Sequence, residues 1–237
     1  MGEDSGLFLH EEILLLALRD RAGTIVPGTM YPYAIGGAIL AELFLRGRIR
    51  LVEHGKTRLV DTFKPRPVGD YLLDECLSWI LTARRRASLD TWVARIARNK
   101  DLTPRLARQL CHRGILRVDE EKVLLLFTRK VYPEIDPKPE RQLIARLHEA
   151  ISADSPRLDH RTVVLLSLAH RSGILKILFD RKALKPHKKR IERITNGEVL
   201  GTATQEAIRA AQAAEAALVA ANLMMASAGP HWACLRK

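Results

Sequence analysis

Apolar residues recur along most of the chain at the three- and four-residue spacings of α-helices. The helices that this pattern predicts span residues 11–19, 38–46, 70–83, 89–98, 104–113, 139–152, 160–170, 174–183, 187–195 and 203–228. The first helix is apolar almost all round, which predicts that it is buried behind an acidic first turn. Residues 22–37 are rich in glycine and proline and predict an ordered loop.

Two of the predicted helices end at a glycine that is followed by a short hairpin. After Gly47, the basic strand RIRLV turns through EHGK into a second strand. After Gly114, the residues 115–127 predict the strand ILRV, the turn DEEK and the strand VLLLF. The elements together predict a mainly α fold, a single-domain helical bundle with small β-hairpins, spanning residues 7–230.

The order helix, glycine, hairpin is also the outline of a DNA-binding winged helix, whose recognition helix exposes polar and basic residues. The helix before the first hairpin, AILAELFLRG, is almost wholly apolar and therefore belongs in a core. Helix 104–113, before the second hairpin, carries Arg105, Arg108, Gln109 and His112. Nucleic-acid binding through this second helix therefore stays open as an alternative function.

Composition narrows the choice of partners. The chain of 237 residues has 47% hydrophobic but only 5% aromatic residues, which indicates an aliphatic core and favours helices. Its formal net charge of +12 favours a polyanionic partner, either nucleic acid or an anionic membrane surface. Three cysteines without a CxxC pair argue against a disulfide scaffold and fit a reducing cytosol.

The sequence offers no clear targeting or membrane-spanning segment. Its first residues, MGEDSG, are acidic where a targeting segment would be basic. The longest apolar stretch, 207–228, carries Arg209 and Glu215, which favours a buried bundle helix over a membrane span. We therefore expect a cytoplasmic protein.

Catalytic and metal-binding motifs find little support. The sequences His10-Glu11-Glu12 and His148-Glu149 lack the second histidine of an HExxH zinc site. There is no GxSxG motif, no P-loop and no histidine spacing typical of zinc. We therefore expect a protein that is not an enzyme and that uses no metal and no cofactor.

Five segments carry a resemblance to a known family. They are LHEEILLLALRDRAG (9–23), AILAELFLRGRI (38–49), VGDYLLDECL (68–77), LARQLCHRGIL (106–116) and HRTVVLLSLAHRSGIL (160–175). In order and spacing they resemble the Golgi phosphoprotein 3 family, and the Ala-, Arg- and Leu-rich composition is similar to that of relatives from organisms without a Golgi. The resemblance implies a helical domain whose best-known members bind phosphatidylinositol 4-phosphate on cytosolic membrane faces and help to retain enzymes in the Golgi. The implied partners are an anionic, phosphoinositide-like lipid and a protein cargo, with reversible membrane association.

The resemblance also assigns headgroup-binding positions by register. The family's lipid pocket uses a Trp and an Arg that fall on Pro27 and Gly36, and two arginines that fall on Lys100 and Thr103. Only Lys100 keeps a charge. Three altered positions of the four imply weak or absent preference for phosphatidylinositol 4-phosphate over other anionic lipids.

The residues themselves point to an anion site in the same region. Thr103 as an N-cap and Pro104 in the first turn predict a helix start, whose free N–H groups favour anions. Lys100 precedes this start, and Arg105 lies within the first turn. An ordinary capped helix with solvated basic residues is the alternative interpretation.

Two further groups are candidate membrane contacts. The family's membrane-inserting loop falls on residues 130–133, where Val131 and Tyr132 are apolar enough to touch lipid. Arg46, Arg48 and Arg50 on and beside the first hairpin can face lipid head groups, or they can protect an edge strand by their charge.

Overall fold

The computed structural model describes residues 6–18, 22–27, 29–123, 127–153, 158–196 and 209. Its helices are α1 (Leu9–Ala17), α2 (Tyr31–Leu45), α3 (Tyr71–Leu81), α4 (Leu89–Ala97), α5 (Leu102–His112), α6 (Lys138–Ser152), α7 (His160–Arg171), α8 (Leu175–Leu178), α9 (Arg181–Leu184) and α10 (Lys188–Thr195). Its strands are β1 (Ile49–His54), β2 (Thr57–Thr62), β3 (Asp119–Val123) and β4 (Phe127–Val131), paired as two separate antiparallel hairpins. The predicted fold class, mainly α with small β-hairpins, is confirmed. Apart from Arg209, the predicted helix 203–228 lies outside the described residues.

Helices α1 and α2 form the centre of the core because both are apolar on nearly every face. Every residue of α1 is buried, and so are residues 34–44 of α2. The two helices pack on each other and on α7, whose residues 162–169 are also buried. The predicted burial of the first helix is therefore confirmed as far as the described residues reach.

The N-terminal half of α2 was predicted as loop, and this prediction is wrong for residues 31–37. Pro32 stands in the first turn of the helix, where its missing N–H is not needed. The small residues that follow let α2 approach α4 closely, since a Cβ added to Gly36 would lie 3.0 Å from the carbonyl oxygen of Val93. Glycine is here a packing residue within a helix.

The chain directions of α2 and α4 define two ends of the bundle. Helix α2 leads directly into β1, and α4 begins just after Ala87, whose carbonyl accepts the N–H of Val60 in β2 at 2.8 Å. The hairpin β1–β2 therefore lies where α2 ends and α4 begins. The 15 residues of α2 place its first turn about 22 Å from that hairpin.

The second hairpin is shifted along the sequence relative to its prediction. The residues DEEK, predicted as a turn, form most of β3, and Glu121 pairs directly with Arg129 of β4. The residues ILRV, predicted as a strand, leave only an isolated bridge between Leu116 and Glu134. Opposite charges facing each other across the strands stabilise this register over the predicted one.

The predicted helix 174–183 is divided into α8 and α9. Phe179 has an extended backbone conformation that ends α8. The side chain of Asp180 then accepts the N–H of Lys182 at 3.1 Å and caps α9. The predicted helix is therefore interrupted at Phe179 and Asp180.

Buried carboxylates of α1 and α2 pair with arginines from distant helices. Glu12 is fully buried and lies 3.0 Å from Arg146 of α6 and 3.5 Å from Arg161 of α7. Arg161 also lies 3.0 Å from Glu42 of α2, which is itself 2.8 Å from Arg46. These ion pairs join α1 and α2 to the surrounding helices.

The pKa values of Glu12 and Glu42 are shifted in opposite directions. Burial raises the pKa of Glu12, and the charges of Arg161 and Arg146 offset only part of the effect. Burial acts in the same direction on Glu42, but Arg161, the N–H of Leu9 and Arg46 outweigh it and lower the pKa of Glu42. The arginines thus keep Glu42 in its charged form.

Asp70 makes a second buried polar junction at the start of α3. Its side chain caps the helix by accepting the N–H of Leu73 at 2.9 Å, and it also accepts a hydrogen bond from Gln109 of α5. The ring of His10 lies 3.4 Å away. Burial alone would raise the pKa of Asp70, but His10, Leu73 and Gln109 lower it to about 2.

Candidate anion-binding site

A cavity of about 460 Å³ lies at the end of the bundle where α2 begins and α4 ends. Its walls come from α1, the loop after α1, the first turn of α2, the α4–α5 junction and strand β4. The residues that line it are Leu14, Leu18, Gly23, Thr24, Ile25, Tyr31, Pro32, Ala97, Asn99, Lys100, Thr103, Pro104, Ala107, Arg129, Lys130 and Tyr132. Five separate chain segments therefore meet at one opening.

Gly23 fixes the wall between the α1 loop and β4. Its carbonyl accepts the N–H of Tyr132 at 2.8 Å, and its φ is +59°, a conformation that favours glycine. A Cβ at this position would lie 2.1 Å from the nitrogen of Pro133 and 2.3 Å from the carbonyl carbon of Tyr132. Only glycine fits this close backbone approach.

Positive charge dominates the cavity. Lys100, Arg129 and Lys130 all line it, and each has an exposed side chain. Within the described part of the chain, Lys100 and Lys130 have no carboxylate at ion-pair distance. Thr103 adds a half-buried hydroxyl group. The structure therefore brings together two of the predicted headgroup residues, Lys100 and Thr103.

The N-terminus of helix α5 offers fewer free backbone N–H donors to an anion than the sequence indicated. Helix α5 begins at Leu102 with Asp101 as its N-cap, so the prediction of Thr103 as the N-cap is wrong. The N–H of Leu102 is already donated to the carbonyl of Asn99 at 3.1 Å, and Pro104 has no N–H. Basic side chains, more than backbone donors, therefore supply the positive charge at this opening.

Three of the predicted headgroup residues lie elsewhere. Arg105 donates to Glu75 at 2.7 Å and lies over the ring of Tyr71, and it does not line the cavity. Gly36 is buried inside α2 against α4, and Pro27 is exposed in the loop before α2. Neither lines the cavity, so the family positions at Pro27 and Gly36 do not belong to this opening.

The expected exposure of the apolar pair in the predicted membrane loop is wrong. Val131 is 6% exposed and Tyr132 is 9% exposed. The backbone N–H of Tyr132 is held by Gly23, and burial raises the pKa of its hydroxyl group. Both side chains pack into the protein, and neither is presented to a lipid in this conformation.

The three arginines of the first hairpin lie at the opposite end of α2 from the cavity. Arg46 donates to Glu42 at 2.8 Å, and its guanidinium lies over the ring of Phe8. Arg50 is half exposed, lies over Phe63 and is 3.8 Å from Asp61, whereas Arg48 is only partly exposed. These residues form a second basic surface that is distinct from the cavity.

Arg129 and Lys130 were not predicted as candidate binding residues. The predicted second hairpin ended at residue 127, so both residues fell on a link and not on a strand. The acidic run in DEEK and the basic pair in TRK, which can face each other across two strands, were the available signal for a charged strand pair. In the observed register, Arg129 and Lys130 line the same cavity as Lys100.

Of the four residues that helix α5 would offer to nucleic acid, Arg105 and Gln109 are held by internal contacts, whereas Arg108 and His112 are exposed. Gln109 donates to Glu11 and Asp70, and Arg113 lies 2.6 Å from Glu11. The strand that would form the wing carries Asp119, Glu120 and Glu121, which repel a phosphate backbone. The structure therefore disfavours recognition of nucleic acid by helix α5.

No helix in the described ranges is long and apolar enough to span a bilayer. In the same ranges, no cluster of three or more histidine, cysteine, aspartate or glutamate side chains is arranged to hold a metal ion.

Comparison with known proteins agrees with the resemblance seen in the sequence. Residues 9–211 match the family described as Golgi phosphoprotein 3 (GPP34). Vacuolar protein sorting-associated protein 74 of Schizosaccharomyces pombe is 26% identical, with 79% of this chain and 65% of that protein covered. The present chain thus spans a little under two thirds of that relative's length. Because the family match includes most of the chain, this protein belongs to the Golgi phosphoprotein 3 family.

Proposed function

We propose that this protein is a peripheral membrane protein that binds the phosphate-bearing headgroup of an anionic lipid in the cavity at the α4–α5 junction. The observation that carries the proposal is the convergence of Lys100, Arg129 and Lys130 on one surface opening. The three cations come from two chain segments, the α4–α5 junction and strand β4, and the two lysines have no ion-pair partner in the described chain. This arrangement suits an anion that arrives from outside.

The chemistry of the three side chains fits a phosphate group. The two lysines supply mobile point charges, and the guanidinium of Arg129 supplies a planar fork of donors. The hydroxyl of Thr103 can donate a further hydrogen bond. Each basic residue near an anionic membrane is worth about 1 kcal/mol, so this cluster supports reversible and not permanent attachment.

Membership of the family supports a role at a membrane surface. The name of the relative from Schizosaccharomyces pombe refers to vacuolar protein sorting. We therefore extend the proposal to an adaptor in membrane trafficking or protein retention that holds a protein cargo on the cytosolic face of a membrane. Binding, and not catalysis, is the proposed activity.

The altered pocket positions bear on lipid specificity. With Pro27 and Gly36 outside the cavity and Thr103 uncharged, the recognition rests on Lys100, Arg129 and Lys130. Charges of this kind respond to the density of negative charge more than to the shape of one headgroup. Weak preference for phosphatidylinositol 4-phosphate over other anionic lipids therefore remains part of the proposal.

A vesicle panel tests the proposal. Co-sedimentation is measured with neutral vesicles, with phosphatidylserine vesicles and with phosphatidylinositol 4-phosphate vesicles of equal surface charge. We expect binding to both anionic sets, little difference between them, and loss of binding as salt rises. Soluble inositol phosphate is added as a competitor, because a headgroup site is blocked by it whereas diffuse attraction to the surface is not.

A DNA shift assay at matched salt covers the alternative function. Comparison at a single salt concentration would mislead, because both interactions depend on counterion release. Tight DNA binding together with absent vesicle binding would contradict the proposal and favour the nucleic-acid alternative.

A further inference from the structure

Arg129 differs from the other two cations of the cavity in having a carboxylate partner. Its Nε and Nη2 atoms lie 2.8 Å and 2.6 Å from the same oxygen of Glu121. The two residues face each other directly in the β3–β4 register. The Nε–Nη2 edge of the guanidinium, one of the edges that Arg129 could offer to a phosphate, is therefore occupied by Glu121.

The pair is exposed enough for a ligand to displace Glu121 from Arg129. Both side chains are about half exposed, 54% for Arg129 and 49% for Glu121, and exposed pairs of this kind are weak. A phosphate group is a stronger partner for a guanidinium than a single carboxylate oxygen is. At the same time, a carboxylate left beside a bound phosphate repels it.

We propose that Glu121 acts as the internal counter-anion of the cavity, holding Arg129 until a headgroup phosphate displaces it and thereby lowering the affinity of the site. This inference rests on the proposed function. It assigns to Glu121 the role of an affinity-limiting residue that keeps membrane association reversible. It also predicts that Arg129 changes partner when the ligand binds.

The test compares charge-neutralising variants in vesicle titrations with phosphatidylinositol 4-phosphate. Glu121→Gln is expected to raise affinity about two- to fivefold, the range that corresponds to the exchange of one exposed ion pair. The gain is expected to disappear when Arg129→Gln is added, because the released guanidinium is its source. Circular dichroism of each variant verifies that the fold is kept.

Two matched controls separate release of Arg129 from a change in net charge. Asp119→Asn removes a neighbouring carboxylate of β3 that pairs with Arg117 at 3.4 Å and leaves Arg129 occupied. Glu53→Gln removes the acid of an equivalent pair with Arg58, at 2.8 Å across the β1–β2 hairpin. Both are expected to change affinity less than Glu121→Gln does.

Three outcomes would overturn the inference. If Glu121→Gln and Asp119→Asn raise affinity equally, only local charge matters and Glu121 has no special role. If the gain persists in the Arg129→Gln background, Arg129 is not its source. In both cases wild-type binding shows that the proposed function stands. If neither the wild type nor Glu121→Gln binds, the inference and the proposed function fail together.

Discussion

Replacing Arg161 with methionine tests whether the buried ion pairs hold the central helices together. Its guanidinium lies 3.0 Å from Glu42 and 3.5 Å from Glu12, and it also donates to the carbonyl of Leu7. Its side chain is 20% exposed, whereas Glu12 is fully buried and Glu42 is 2% exposed. Methionine retains most of the packing volume but removes the charge and the donors.

The expected cost follows from what remains around the two carboxylates. Removing one partner from a buried ion pair typically costs about 3–5 kcal/mol. Glu12 keeps Arg146 and Glu42 keeps Arg46, so we expect the lower end, about 3 kcal/mol. For a protein of this size each kcal/mol lowers Tm by about 2–4 °C, which gives a decrease of roughly 6–12 °C.

The pH dependence of this deficit distinguishes buried charge from lost packing. With Arg161 removed, the pKa of Glu12, already raised, moves further above its unfolded value, and Glu42 loses the charge that contributes most to lowering its pKa. Both changes remove stability that the wild type has at neutral pH. A group with a raised folded pKa stabilises the protein below its unfolded pKa and loses that contribution as pH rises. The difference between wild type and Arg161→Met is therefore expected to grow as pH increases from about 4 to 7.

Thermal and urea unfolding at several pH values measure the effect, with Arg58→Met as the control. Arg58 pairs with Glu53 at 2.8 Å, but both side chains are exposed, so the expected loss is below about 1 kcal/mol. Adding Glu42→Gln to Arg161→Met should restore part of the stability, since it removes an uncompensated charge. Equal losses in the two arginine variants, or a deficit independent of pH, would refute this reasoning.

Two further predictions concern single positions. Gly23→Ala is expected to cost at least ~2 kcal/mol and to weaken vesicle binding, because its Cβ would overlap the backbone of Pro133. Gly55→Ala is the control, because Gly55 also has a positive φ but a Cβ added there would have no atom within 4 Å. Only the conformational cost of about 1 kcal/mol is expected for it. Equal losses of stability in the two variants would contradict a steric clash at Gly23. Asp70→Asn keeps the helix cap but loses the charge. Because the pKa of Asp70 is lowered to about 2, its charged form stabilises the folded protein at neutral pH. The variant should therefore be less stable by about 1–2 kcal/mol at neutral pH. That difference should vanish as pH falls from about 4 to 2, and a constant difference in urea unfolding would contradict it.

Local patterns predicted most of the helices because their apolar faces are contiguous in sequence. The helices α3, α4, α6 and α7 begin and end within a few residues of their predicted limits. The burial of Glu11 and Glu12 could not be predicted in this way, because acidic residues in the first turn of a helix are usually exposed to solvent. Their partners Arg113 and Arg146 lie far along the chain, and only the tertiary structure brings them together.

The candidate site was only partly predictable, because some of its residues are positioned by contacts with residues that are distant in sequence. Lys100 and Thr103 lie next to a recognisable helix start, and both line the cavity. Arg129 depends on the strand register, which pairing between distant residues determines. Arg105 was assigned to the site because of its sequence position, but Glu75, from another helix, holds it elsewhere.

The proposed site is tested most directly by vesicle binding of a variant that lacks both lysines of the cavity. Lys100→Gln with Lys130→Gln is compared with Lys56→Gln and Lys64→Gln, which remove the same charge at the other end of α2. We predict that the cavity variant loses most of its affinity for anionic vesicles, by about thirtyfold if each of the two lysines contributes ~1 kcal/mol, while the control variant changes little. Equal losses in the two variants would contradict the account, because the cavity would then not be the binding site.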